Sequence, residues 1–194
     1  GGAGADSITS SQADNQRDTV AYGSSGDGGA AGANSGSDTV TAFDANANNA
    51  TDDIIRIIGT LRDDLDDAGG NTSDVLGYLA TNGTDGGNQA IGVVGSNSEA
   101  SVLLDAEVEI GLAAFTQANL VDLRAELDEE FNFDTAFFLD HLFVINFSST
   151  QAALVLYTGD GAQNDDVAAN ELSILSIITH NDGANLLAGD VGFF

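Results

Sequence analysis

The stretch GGAGADSIT, residues 1–9, decides how the rest of the chain is read. It fits the nonapeptide G-G-x-G-x-D-x-U-x, with Gly1, Gly2, Gly4, Asp6 and the apolar Ile8 each in place. Glycines allow the positive φ angles that turn main-chain carbonyls toward a cation. Asp6 adds a carboxylate, and Ile8 points inward as the core residue of a short strand. Turns of this kind share each cation between stacked coils, so one copy has half a site and needs a neighbour. Without a neighbour the same residues make a glycine-rich linker.

Composition narrows the choice. The chain's 31 acidic residues face four basic ones, Arg17, Arg56, Arg62 and Arg124, for a net charge of −27. That charge repels nucleic acid and anionic membrane surfaces. No apolar run reaches the roughly 18 residues of a membrane-spanning helix, so no membrane insertion is expected. Two physical situations suit such a charge: a halophile's solvated surface, or carboxylates that await a divalent cation. With no cysteine, disulfides and thiolate metal sites are excluded, and His141 and His180 are the only nitrogen ligands. Any metal is therefore expected to be hard and oxygen-loving. A hydrophobic content of 42% over 194 residues suffices for a core. The absence of methionine and of an N-terminal signal pattern suggests the C-terminal piece of something longer.

Along the chain, four short β-branched islands each open on an aspartate: DSIT at 6, DTVAY at 18, DTVTAF at 38 and DDIIRI at 52. Their alternation predicts strands, with loops interrupting any regular repeat. LRDDLDDA (61–68) and SDVLGYLA (73–80) are predicted to form short helical turns, and 116–133 is the best helix, with Leu120, Leu123, Leu127 and Phe131 on one face. Residues 89–97, 101–115, 136–149 and 152–159 read as strands. The expected fold is mainly β. Residues 1–58 form the end of a parallel β-roll, and residues 59–194 form a β-rich, sandwich-like domain with one or two short helices.

The order of these islands resembles the repeats-in-toxin (hemolysin-type calcium-binding) family in the portion just after its last repeats. The matching stretches are DTVAYG (18–23), DTVTAFDA (38–45) and DDIIRI (52–57). The closing strand, Asp/Gly/Asn loop and strand pair of 152–194 are similar to the far end of such proteins. The terminal Asp190, Val191, Phe193 and Phe194 resemble the acid-plus-apolar terminus read by a type I secretion exporter. The resemblance implies calcium as the ligand, with Asp6, Asp18, Asp38 and Asp44 as leading ligands and backbone oxygens of Gly1, Ala3 and Gly23 beside them. It also implies an extracellular or cell-surface bacterial protein, exported unfolded and folded by calcium outside the cell. A terminal strand this short is expected to contribute little to the loop sites upstream.

A second loop, 158–172, offers Asp160, Asn164, Asp165 and Glu171 as oxygen donors. It has twelve residues from Asp160 to Glu171 but departs from the EF-hand spacing, and a solvated β-turn is the competing reading. His141 reads as a structural strand residue and His180 as a turn residue. No G-x-S-x-G or H-E-x-x-H occurs, so any catalytic domain is expected upstream of this chain. Asn49, Asn71, Asn82 and Asn146 match the glycosylation pattern, which carries little weight in a bacterial chain. Two alternatives stand beside the secreted module: a surface-layer or fibre subunit that self-assembles through calcium or an open strand edge, and the non-catalytic tail of a protease or lipase.

Overall fold

The computed structural model describes residues 2–11, 16–28, 36–45, 52–65, 76–81, 89–90, 99–104, 123–125, 127, 131–132, 140–148, 150–159, 167–180, 186 and 190–193. The elements among them are β1 (Ser7–Thr9), β2 (Thr19–Tyr22), β3 (Asp38–Phe43), β4 (Ile54–Ile57), α1 (Gly59–Leu65), β5 (Leu76–Thr81), β6 (Gln89–Ala90), β7 (Glu99–Leu104), β8 (Phe131–Asn132), β9 (His141–Ser148), β10 (Gln151–Tyr157), β11 (Leu172–His180) and β12 (Val191–Phe193). The fold is mainly β, as the alternation predicts.

Each Asp-led island becomes a strand, and the strands stack as coils. β1 pairs in parallel with β3, Ser7 opposite Thr39, and β2 pairs in parallel with β4, Thr19 opposite Ile54. One coil is thus β1 plus β2, and the next is β3 plus β4. A third coil comes from the far end of the chain. β11 lies parallel to β3, Ser176 opposite Asp38, and β12 lies parallel to β4, Val191 opposite Ile55. Among the described residues the result is a three-stranded sheet, β12-β4-β2, and a seven-stranded sheet, β1-β3-β11-β10-β9-β7-β5. β10 is antiparallel to both its neighbours, while β9, β7 and β5 continue in parallel.

The core lies between these sheets. Val20, Tyr22, Ile55, Ile57 and Val191 from the smaller sheet pack in one cluster with Val40, Phe43, Leu154, Leu175 and Ile178 from the larger, and Leu61 and Leu65 of α1 join it. Alternation places Ile8, Val20 and Val40 inside and leaves Ser7, Thr9, Thr19 and Thr39 exposed. An extra residue in β3 shifts the register, so that His180 meets Phe43 where Ile178 meets Val40. The shift is accommodated by Ala42 at φ 59°, a bulge that turns Phe43 inward.

Three expectations change. Residues 76–81 form β5 rather than a helical turn, because six successive pairings with β7 outweigh local helix preference in a segment that carries Gly77. Leu123 and Leu127 are helical and buried as expected, but Phe131 lies in β8, paired with Gln89. His180 ends β11 inside the core and donates its N–H to the Thr150 carbonyl at 2.9 Å, so it is no turn residue.

The chain's last strand is also no loose appendage. Asp190 and Val191 are 1% and 3% exposed. Leu186, four residues before Asp190, is clasped by the Asn146 side-chain amide, which donates to the Leu186 carbonyl and accepts from the Leu186 N–H, both at 2.9 Å. Asn146 is therefore committed to packing rather than presented as a glycosylation acceptor.

Gly28 is where the connection after β2 touches β11. A Cβ there would stand 2.4 Å from Leu175 Cα and 2.8 Å from the Ile174 carbonyl oxygen, both main-chain atoms that cannot swing aside. Gly28→Ala should lower stability by at least about 2 kcal/mol in chemical denaturation, whereas Gly26→Ala, with only the Ser24 hydroxyl at 3.7 Å, should change it little.

Candidate functional site

In the first two coils the first residue of each strand, or the one just before it, is an aspartate, and register aligns Asp6 with Asp38 and Asp18 with Asp53 in two inward-facing ranks. Asp6 and Asp38 share the inward parity of Ile8 and Val40, and Ser176 continues their rank on β11. Asp18 and Asp53 share the inward parity of Val20 and Ile55. Because the two sheets of a coil run in opposite directions, one rank lies at each end of the space between the sheets.

A carboxylate in such a position must find donors, and it finds them on the neighbouring coil. The Asp6 N–H donates to Asp38 Oδ1 at 2.9 Å across 32 residues of sequence. Asp6 returns its carbonyl to the Thr39 N–H at 2.9 Å. At the other end the Asp18 N–H donates to Asp53 Oδ1 at 2.8 Å across 35 residues, and the Ile54 N–H reaches the Asp18 carbonyl at 3.0 Å. The second Asp53 oxygen accepts the Asp44 N–H at 3.0 Å, while the Asp53 N–H donates to the Asp44 carbonyl at 3.1 Å. Each carboxylate thus ties its own coil to the preceding one.

Burial leaves a charge problem. Asp38 is 1% exposed and Asp53 is 2% exposed. Loss of hydration pushes the Asp38 carboxyl above the usual carboxylate range, the Asp6 N–H pulls it back in part, and the Asp6 carboxylate pushes it up again. Asp53 is raised for the same first reason, against the N–H groups of Asp44 and Asp18. Asp27 goes the other way. Burial opposes its ionisation, but the Gly23 N–H, the Ser24 hydroxyl and the Ser24 N–H all donate to it and hold its carboxyl below the usual range.

Of the residues singled out from sequence, Asp6 and Asp38 meet directly, and Asp18 and Asp44 meet through Asp53. Asp18 also caps the Ser11 N–H at 2.9 Å. Ala3 is exposed in the opening turn, where Gly2 and Gly4 take φ of 123° and 114°. The Gly23 carbonyl accepts the Leu61 N–H at 3.1 Å and the Thr60 hydroxyl at 3.0 Å, which seats the start of α1. Gly1, Asp160 and Asp165 lie outside the described residues. Asp53 and Asp27 were missed. The inward parity of Ile55 carried the signal for Asp53, and nothing in GSSGDGG distinguishes Asp27. His141, buried at the start of β9, stacks on Tyr157 with ring centroids 6.0 Å apart, as a structural histidine does.

Among the described residues no group of three or more acidic or histidine side chains is placed to hold a metal by itself. No helix among them is long and apolar enough to cross a membrane. Compared with family models, curated proteins and solved structures, the chain matches none, so its function is read from its own geometry.

Two outcomes follow from the different use of the two buried carboxylates. Asp53→Asn sets an amide NH2 against one of two N–H donors and should cost about 1–3 kcal/mol in urea denaturation under chelation. Asp38→Asn keeps a carbonyl for the Asp6 N–H and removes a repelled charge, so it should change stability by less than about 1 kcal/mol.

The pH dependence has a definite sign. Asp38 and Asp53 hold their protons more tightly folded than unfolded, so stability falls as the pH rises from the ordinary carboxylate range through their raised values. The thermal midpoint in chelator should be higher at mildly acidic than at neutral pH, and Asp38→Asn should flatten that fall. An identical profile in the variant would remove buried Asp38 as its source.

Proposed function

We propose that the chain is a calcium-binding, non-catalytic module of an extracellular protein, the C-terminal part of a type I secreted chain that is exported unfolded and folds on calcium outside the cell. The observation that carries this reading is the stacking of Asp-led parallel coils, with the carboxylates of Asp38 and Asp53 turned inward and accepting backbone N–H groups from Asp6, Asp18 and Asp44. With 31 acids against four arginines, the folded chain gains most from a cation that accepts oxygen ligands alone. The positive-φ glycine turn before Asp6 fits the same chemistry. Calcium, when bound, would supply charge neutralisation between coils, and Asp6, Asp18, Asp38 and Asp44 are the residues to hold it.

The buried Asp190 and Val191 add a condition to the export reading. An exporter that recognises them must do so before β12 joins β4. Millimolar extracellular calcium then favours the compact state by mass action.

A second reading, a surface-layer or fibre subunit, is favoured by one feature. β1 and β2 lie at the same end of the stack, and among the described residues each is an edge strand. Their outward main-chain groups offer a place for another coil to pair. Light scattering with and without calcium separates the two: a monomer that compacts fits the module, and growth in size fits the subunit.

The central test is a calcium titration followed by circular dichroism. Strand signal should rise with calcium and fall in chelator, with little response to sodium chloride at equal ionic strength. Full recovery of the folded spectrum in sodium chloride alone would replace this reading with that of a halophile's solvated surface.

A further inference from the structure

The end of the roll where β2 stops and β3 begins holds polar atoms that the carboxylate ladder does not use. Tyr22, the last residue of β2, is 1% exposed, and Ser176, beside Asp38 in the β11 register, is 0% exposed. Their hydroxyls lie close enough to interact with one another, yet among the described residues neither oxygen meets hydrogen-bond geometry with a partner. Buried hydroxyls without partners are costly. Phenylalanine and alanine would fill the same space with nothing left unsatisfied.

The surroundings say what these oxygens are turned toward. Asp38 and Asp6 face inward on the rank that Ser176 continues, with about 4.7–4.9 Å between neighbouring strands. The carboxylates of Asp38, Asp27 and Asp6 all act electrostatically on the Tyr22 hydroxyl. At the opposite end of the roll both Asp53 oxygens already hold backbone N–H groups, so the buried Ser10 hydroxyl there has no carboxylate with a free side toward it.

We propose that this end of the roll binds one hard divalent cation of the calcium class, held between the Asp6–Asp38 carboxylates and the hydroxyl oxygens of Tyr22 and Ser176. The inference rests on the calcium reading above and adds an interior site with two neutral ligands. Two carboxylates balance the cation's charge, and two hydroxyls supply lone pairs that the protein leaves unused. Main-chain or water oxygens would bring the number of ligands to the six to eight that calcium takes, roughly as in other oxygen sites.

Terbium tests the site, because this calcium-like cation emits strongly only when an aromatic ring close to it transfers excitation. On tyrosine excitation the full chain should sensitise terbium, and calcium should compete the emission away. Tyr22→Phe should lose most of the emission, while Tyr157→Phe, remote on β10, should keep it. In calorimetry Tyr22→Phe and Ser176→Ala should each weaken calcium binding by about tenfold, with unchanged circular dichroism at saturating calcium. If Tyr22→Phe keeps its emission and affinity and only melts higher in chelator, the hydroxyls are merely unsatisfied and the site is refuted. A wild-type chain that responds to calcium alongside such a variant sinks the interior site alone. A wild-type chain with no calcium response at all sinks the calcium reading with it.

Discussion

A carboxylate that reaches from one coil to the backbone N–H of the coil before it is the interaction on which the roll depends. Strand pairing alone fixes the distance between coils, but in a parallel ladder whose first two coils use strands of three to six residues it fixes register only weakly. The Asp38 bond to Asp6 and the Asp53 bonds to Asp18 and Asp44 add register marks at both ends of the interlayer space. A slip by one residue would turn these carboxylates outward along with Val40 and Ile55. The same marks place unneutralised charge inside the fold, so the groups that define the register also make it sensitive to pH and cations.

Much of this was legible in the sequence, and the rest was hidden for physical reasons. The four Asp-led islands became β1, β2, β3 and β4, because β-branched alternation behind a turn-forming aspartate is a local signal. The 20-residue spacing of DTV could mislead, since it runs from one sheet to the other. Partners in the same sheet lie 32 and 35 residues apart. Asp53 sat in plain view in DDIIRI, but choosing it over Asp52 required the inward parity of Ile55. The β5 segment read as helix because its ladder with β7 is a long-range fact. Tyr22 and Ser176 carried no motif, and only their placement against Asp38 gives them meaning.

The insertion between the second and third coils accounts for the architecture of the larger sheet. After β4 the chain leaves the roll, builds β5, β7 and β9 side by side in parallel, and turns back through β10 into β11. β9 and β10 are buried along nearly their whole described length, so this region forms the middle of the larger sheet rather than an appendage. The pairing of β11 with β3 joins residues more than a hundred positions apart. Such long-range contacts slow folding relative to local ones.

The third coil also sets a schedule. While the chain is being synthesised, β3 and β4 exist for more than a hundred residues before β11 and β12 are made, and their free sides have no native partner in that interval. The roll is therefore closed only once β11 and β12 have been made, and a chain that stops short of them carries two uncovered strand edges on acidic coils. Mutual repulsion among those acids opposes association through such edges, so the charge that burdens the folded state works in favour of the incomplete one.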